Sequence, residues 1–98
     1  MSKEKMTTQR VAVDGPTGEA FKEIAAEIEF AEMNHPVWPQ DIFQQNSILQ
    51  EEAGEISKAV NEHKWNGGSI EDIKTEVIQT AAMCVRFLKS IEKMERKN

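Results

Sequence analysis

Apolar residues recur every three to four positions along three stretches of the chain, the spacing that places them on one side of an α-helix. In the first stretch they are Ala20, Phe21, Ile24, Ala25, Ile28 and Ala31. Pro16 suits a first helical turn and Thr17 suits an N-terminal cap, so a helix is predicted over about 17–33. The prolines of the next segment, MNHPVWPQD, disfavour helix at the residues before them and end it.

A second helix is predicted with a firm pattern from Ile48 to His63. Two starts are open, because Asp41 can cap the helix or the helix can begin nearer Asn46. Its apolar stripe is formed by Ile48, Leu49, Ala53, Ile56 and Val60. The following WNGG segment ends it, since Gly67 and Gly68 accept a left-handed C-terminal turn.

A third helix is predicted over about 70–95, because no proline or glycine interrupts this stretch. Ser69 is placed to cap it, with Asp72 at the third helical position, and the charged tail EKMERKN is expected to fray. Strand signals are nearly absent. We therefore predict an all-α fold, an antiparallel bundle of three main helices over 16–98, preceded by a flexible N-terminal arm over 1–15.

The third helix is apolar around well over half of its circumference. The remaining polar strip consists of Thr75, Gln79, Arg86 and Lys93. Two short partner helices cannot cover so wide an apolar arc, so we predict a homo-oligomer in which the third helix packs against its own copies. Cys84 falls on the apolar arc and is expected to be a buried, inert thiol.

Composition narrows the class of protein. The chain has 98 residues, enough for one small domain, and a formal net charge of −5, which argues against a nucleic-acid partner. The single cysteine excludes an internal disulfide and fits a reducing cytoplasm. No apolar run is long enough to span a membrane, and the N-terminus lacks the apolar region of a secretory signal. A cytoplasmic protein is the expectation.

Three carboxylates interrupt the side that the second helix should bury. Glu52 falls inside the apolar stripe, Glu55 at its border and Glu51 beside them. An unpaired buried carboxylate costs several kcal/mol, and a hard divalent cation such as Mg²⁺ removes that cost. Glu76 lies on the apolar arc of the third helix, where it can face these acids. The alternative is a solvated acidic surface in which Glu51 and Glu55 pair with Lys58.

The residues EEAGE (51–55) and EVIQ (76–79) resemble the paired motifs EExxE and ExxD of the MazG-like all-α nucleoside triphosphate pyrophosphohydrolases. The spacing between the motifs fits that family. The segments NHP, LQEEAGEISKAV and EVIQTAAMCVRFL are similar in sequence to the short phage and bacterial members of that family. The resemblance covers about 17–92.

This resemblance implies a helical bundle built as a dimer or a dimer of dimers. It implies a reaction in which a (d)NTP is cleaved between its α and β phosphates, giving (d)NMP and pyrophosphate, with Mg²⁺, or Mn²⁺ in its place. By the same match Glu52, Glu55 and Glu76 are metal ligands, with Gln79 at the fourth position, and Glu51 is a further ligand or orients the attacking water. Glu51 and Glu52 are thus the catalytic candidates.

Gln79 departs from the family pattern, which has Asp at this position. A neutral amide offers one oxygen to a cation but no negative charge, so metal count and catalytic competence stay open. A non-catalytic, oligomeric helical interaction module is therefore the second hypothesis. A weaker third is a metal-stabilised structural bundle.

A triphosphate also needs cationic contacts and a base needs a stacking surface. Lys58, Arg86 and Lys64 are candidates for the phosphates, and Trp38 for the base. Each has a simpler reading, as a surface charge or as a core side chain at the end of the bundle.

Overall fold

The computed structural model describes residues 14–97, with side chains through Arg96. They form three helices, α1 (Gly15–Asn34), α2 (Ile42–Asn66) and α3 (Ile70–Lys97). No strand occurs in this part of the chain, so the all-α prediction is confirmed. The predicted arm, 1–15, lies outside the described residues apart from its last two.

The first helix begins two residues before the predicted start. Pro16 lies in its first turn as expected, but Thr17 is not the cap, because Asp14 flanks the helix in extended backbone. The Asp14 side chain makes no capping hydrogen bond. At the other end, the N–H of His35 donates to the Ala31 carbonyl over 2.7 Å, and His35 itself has left the helical conformation. This follows from Pro36, whose ring disfavours helix at the preceding residue.

The second helix uses the earlier of its two predicted starts. The Asp41 carboxylate accepts a hydrogen bond of 3.4 Å from the N–H of Phe43, which satisfies one of the unpaired donors of the first turn. The helix ends at Gly67, whose φ of 78° is a left-handed conformation that glycine adopts without strain. The N–H of Gly68 then donates to the Glu62 carbonyl over 2.9 Å.

The third helix is capped as predicted, since the N–H of Asp72 donates to the Ser69 hydroxyl over 3.1 Å. It continues through Lys97, so the end predicted near 95 is too early, and the charged tail is helical as far as the structure describes it. None of the three described helices has an apolar stretch of the length that crossing a membrane requires.

The third helix is the centre of the arrangement. Both α1 and α2 pack against it, and within residues 14–97 they do not pack against each other. An open groove therefore runs between α1 and α2, with α3 as its floor. His35, Val37, Trp38 and Pro39, from the segment that connects α1 to α2, also line this groove.

The apolar core of the single chain is thin. Among the described residues only two apolar side chains are buried, Ala31 (7% exposed) and Ala82 (0%). The largest fully buried side chain is a polar one, Gln45. A chain of this size has little surface to bury in any case, and burial of two alanines contributes little to its stability.

The side of α3 that α1 and α2 cover is not the side that the apolar pattern indicates. Arg86, from the predicted polar strip, is only 6% exposed, and Gln79 is half-buried. By contrast, Val77 and Leu88 are 46% and 53% exposed. Cys84 is also exposed, so the expectation of a buried thiol is wrong. The side of α3 that packs against α1 and α2 includes part of the polar strip, so part of the apolar arc faces solvent.

Candidate functional site

The acidic cluster of α2 is divided between solvent and the groove. Glu52 is half-buried and lines the groove, whereas Glu51 and Glu55 are exposed. Neither forms an ion pair with Lys58 in the described part of the chain. The exposure of Glu51 and Glu55 agrees with the alternative of a solvated acidic surface, but the ion pairs with Lys58 that it included are absent among the described residues.

Glu52 lies in surroundings that oppose its negative charge. Its pKa is raised above the ordinary value for glutamate, first by burial and then by the charges of Glu76, Glu51, Glu55 and Glu27. These carboxylates come from all three helices. The structure thus gathers acids around Glu52, and the ionised carboxylate costs free energy there unless a cation is present.

Glu27 is a member of this group that the sequence reasoning missed. It is half-buried on α1 and lines the groove together with Glu52 and Gln79. A signal was present in the sequence, because Glu27 falls between Ile24, Ile28 and Ala31 at the spacing of the inward side of the helix. It went unused because it belongs to neither acidic motif.

The groove has a volume of about 370 Å³. Its walls are α1 and α2, and its floor includes Gln79, Met83 and Arg86 from α3. Gln79, from the predicted polar strip, faces the same groove as Glu52. Glu76 does not line the groove, although it is close enough to Glu52 to raise the pKa of that carboxyl.

Two of the four predicted substrate contacts, Trp38 and Arg86, come together in the lining of the groove. The guanidinium carbon of Arg86 lies 4.8 Å from the centre of the Trp38 ring, a cation–π contact. The Nη2 of Arg86 also donates to the His35 carbonyl over 2.7 Å. Buried and held on two sides, Arg86 keeps its charge in a fixed position at the groove.

The remaining cation candidates lie elsewhere. Lys58 is exposed on α2 and does not line the groove. Lys64 lies with its ammonium 5.5 Å from the ring centre of Trp65, which is itself exposed. The structure therefore brings Trp38 and Arg86 to the acids and leaves both lysines outside.

The donor set suits a hard cation, because every candidate ligand presents oxygen. The geometry is less complete. Within residues 14–97, no three side chains of the His, Cys, Asp or Glu types are placed so that they could hold one metal ion. The acids are near enough to perturb Glu52 but do not converge on a single point.

Comparisons with known proteins give no match: no family model, no curated protein and no solved structure is similar to this chain at a significant level. The residues of the groove and its electrostatics are therefore the basis for a functional hypothesis, together with the motifs of the sequence.

Proposed function

We propose that the chain is a MazG-like nucleoside triphosphate pyrophosphohydrolase that converts a (d)NTP and water to a (d)NMP and pyrophosphate. The observation that carries the proposal is Glu52, half-buried in the groove, with its pKa raised by burial and by acids from three helices. Such a carboxylate gains most from a bound divalent cation, which compensates both causes. The paired motifs EEAGE and EVIQ supply the family assignment.

In this proposal Glu52, Glu55 and Glu76 hold Mg²⁺, or Mn²⁺ in its place, and Gln79 offers its amide oxygen. The bound cation would neutralise charge on the phosphate oxygens during transfer. Because no three ligands converge, the exposed Glu55 side chain has to rotate toward Glu52, and an exposed glutamate changes rotamer at small cost. Glu51 orients the attacking water or serves as a further ligand.

Glu27 offsets the departure at Gln79. It places a carboxylate on the groove that Gln79 also lines, so the negative charge absent at position 79 is supplied by α1. Arg86 and Trp38, which line the same groove, then contact the phosphates and the base. Lys58 reaches the substrate only at the edge, since it lies outside the groove lining.

The proposal includes self-association, as a dimer or a dimer of dimers of antiparallel bundles in the cytoplasm. Its support is the exposed apolar line on α3, in which Ile70, Val77, Cys84 and Leu88 recur seven or four residues apart. A second copy is the partner that gives this thin core more apolar surface to bury. Light scattering at micromolar concentration measures the assembly, and a monomer would refute it.

Turnover is tested with a panel of NTPs and dNTPs, with and without Mg²⁺, by measuring pyrophosphate release. We expect release that depends on Mg²⁺ and is lost in Glu52→Gln. Glu62→Gln is the matched control, since Glu62 is exposed on the same helix and outside the groove lining. Mg²⁺ should also raise the melting temperature, because a ligand that binds the folded state stabilises it. The enzyme proposal is refuted if no nucleotide is turned over and calorimetry detects no Mg²⁺ binding.

A non-catalytic, oligomeric helical interaction module is the second candidate. Two observations favour it: the neutral Gln79, and the lack of a converged three-ligand cluster in the described residues. It predicts a stable oligomer with no turnover, and a melting temperature that millimolar Mg²⁺ leaves unchanged.

A further inference from the structure

The second half of α3 carries four cationic side chains on one side of the helix. Arg86, Lys89, Lys93 and Arg96 follow one another at intervals of three and four residues, which aligns them along the helix axis. All four line a cavity of about 750 Å³ formed by α3, α1 and the segment around Trp38. We call this cavity the basic pocket.

The basic pocket is positively charged in an acidic protein. Only two carboxylates line it, Glu32 and Glu92, against the four cations, whereas the whole chain has a formal net charge of −5. Lys89 is paired, with its Nζ 2.8 Å from a Glu32 carboxylate oxygen. Lys93 and Arg96 form no ion pair with any carboxylate whose side chain the structure describes.

The position of these cations at a helix end explains part of the pattern. Positive side chains near a helix C-terminus interact favourably with the helix dipole. The attraction to the helix dipole, however, is the same on every side of the last turns. It therefore does not require the cations to lie on one side of the helix. Like charges three and four residues apart repel and weaken the helix, which makes the alignment a cost in the free chain.

The other walls of the basic pocket are mainly apolar, with Gln40 and Ser90 as further polar lining residues. Pro36, Pro39 and Met94 line it, together with the Trp38 ring that stacks on Arg86. The Trp38 indole nitrogen is buried and has no hydrogen-bond partner among the described residues. A cavity of this volume is within the range of about 300–1,000 Å³ that small-molecule sites occupy.

We propose that the basic pocket binds a phosphate-bearing small molecule directly, without a metal ion. Phosphate oxygens accept several hydrogen bonds, match the fork of an Arg96 guanidinium and remove the repulsion between Lys93 and its cationic neighbours. The proposal does not depend on the reaction assigned to the groove. Among the described residues, two carboxylates line each cavity, but the groove has a single cation, Arg86, whereas the basic pocket has four. The groove therefore needs a bound cation to accept a phosphate, and the basic pocket accepts it directly.

The test is calorimetric titration of the full chain with inorganic pyrophosphate in low-salt buffer containing EDTA, which removes divalent cations. We expect saturable binding to the wild type and a loss of affinity of about tenfold or more in Lys93→Glu and in Arg96→Glu, since each change removes a charged contact and adds repulsion. Both side chains are exposed, so the variants should fold, and circular dichroism checks this.

Lys22→Glu is the matched control, because it makes the same charge change at an exposed lysine of α1 that does not line the basic pocket. Its affinity for pyrophosphate should stay within about twofold of the wild type, since salt screens charges that lie far apart. The proposal is overturned if the wild type shows no binding at millimolar pyrophosphate, or if Lys22→Glu loses as much affinity as Lys93→Glu.

Discussion

Gln45 is the side chain whose replacement most sharply tests how this fold is held together. It lies in the first turn of α2, is fully buried, and donates through its single Nε2 group to the Pro39 carbonyl over 2.9 Å and to the Ser90 hydroxyl over 3.0 Å. One amide thus joins the segment before α2 to the end of α3. Its Oε1 atom is buried without a partner among the described residues.

Gln45→Glu keeps the size and shape of the side chain and removes both donors. The hydrogen bond to the Pro39 carbonyl has no replacement, whereas the Ser90 hydroxyl can donate its own O–H to the new carboxylate, so the lost hydrogen bonding costs about 1 kcal/mol. The introduced carboxylate is also buried and faces two oxygen atoms, and an unpaired buried charge adds several kcal/mol at pH 7. The sum is a large part of the stability of a small domain, which is roughly 5–15 kcal/mol. We expect the variant to be largely unfolded at neutral pH, or to unfold at much lower urea concentration.

The effect should depend on pH in a defined direction. Burial raises the pKa of the introduced carboxyl, so folding favours its protonated form and the penalty grows as pH rises through that pKa. Near pH 4 the protonated carboxyl carries no charge and has one O–H to donate, so most of the loss should disappear. A destabilisation of the same size at pH 4 and pH 7 would contradict the electrostatic part of the reasoning.

Gln44→Glu provides the control. Gln44 is the exposed neighbour on the same turn, and the substitution there should change the free energy of unfolding by no more than about 0.5 kcal/mol. Urea unfolding followed by circular dichroism, at one fixed protein concentration because of self-association, measures both variants. Equal midpoints for the two at pH 7 would refute the structural role assigned to Gln45.

Three further predictions follow from single positions. In Mg²⁺-free buffer at pH 7, Glu52→Gln should raise the melting temperature. The reason is that folding raises the pKa of Glu52, so the wild type loses stability as pH rises through that pKa. The gain should be absent at pH 3, where the Glu52 carboxyl is protonated in both the folded and the unfolded state. Leu88→Glu, which places a charge on the exposed apolar line of α3, should lower the molar mass measured by light scattering, whereas an unchanged mass would remove Leu88 from the proposed interface. Ser69→Ala should cost about 1 kcal/mol in urea unfolding through loss of the α3 cap, and no change would show that the hydrogen bond to the Asp72 N–H does not stabilise the helix.

Local chemistry made the helices predictable. Asp41, Gly67 and Ser69 act within a few residues of themselves, as a cap, a left-handed end and a second cap, so their roles are readable from neighbouring positions. The position of Glu52 inside the apolar stripe of α2 was readable in the same way. The start of α1 was not, because no side chain caps it and the helix begins at Gly15 without a local signal beyond Pro16.

The choice of which side of α3 to cover was not predictable from periodicity. Arg86 appeared as part of a polar strip, and only tertiary contacts with His35 and Trp38 show that it is buried. Gln45 gave no signal either, since one of its partners, Ser90, lies 45 residues away. Cys84 was predicted to be buried, and is exposed, because its burial also depends on tertiary contacts. A helical wheel ranks positions by polarity, whereas burial depends on which side the neighbouring helices happen to occupy.

These long-range contacts form one connected chain of interactions between the two cavities. Gln45 fixes the Pro39 carbonyl, which places the adjacent Trp38; the Trp38 ring lies against Arg86; and the Arg86 guanidinium is held by the His35 carbonyl. Trp38, Pro39 and Arg86 all line both the groove and the basic pocket. Because these residues form a shared wall, a shift of the segment 35–41 changes both cavities at once. It follows that Gln45, which lines neither cavity, sets the geometry of both. A buried polar contact here positions the surrounding segments, as an apolar core does in larger domains.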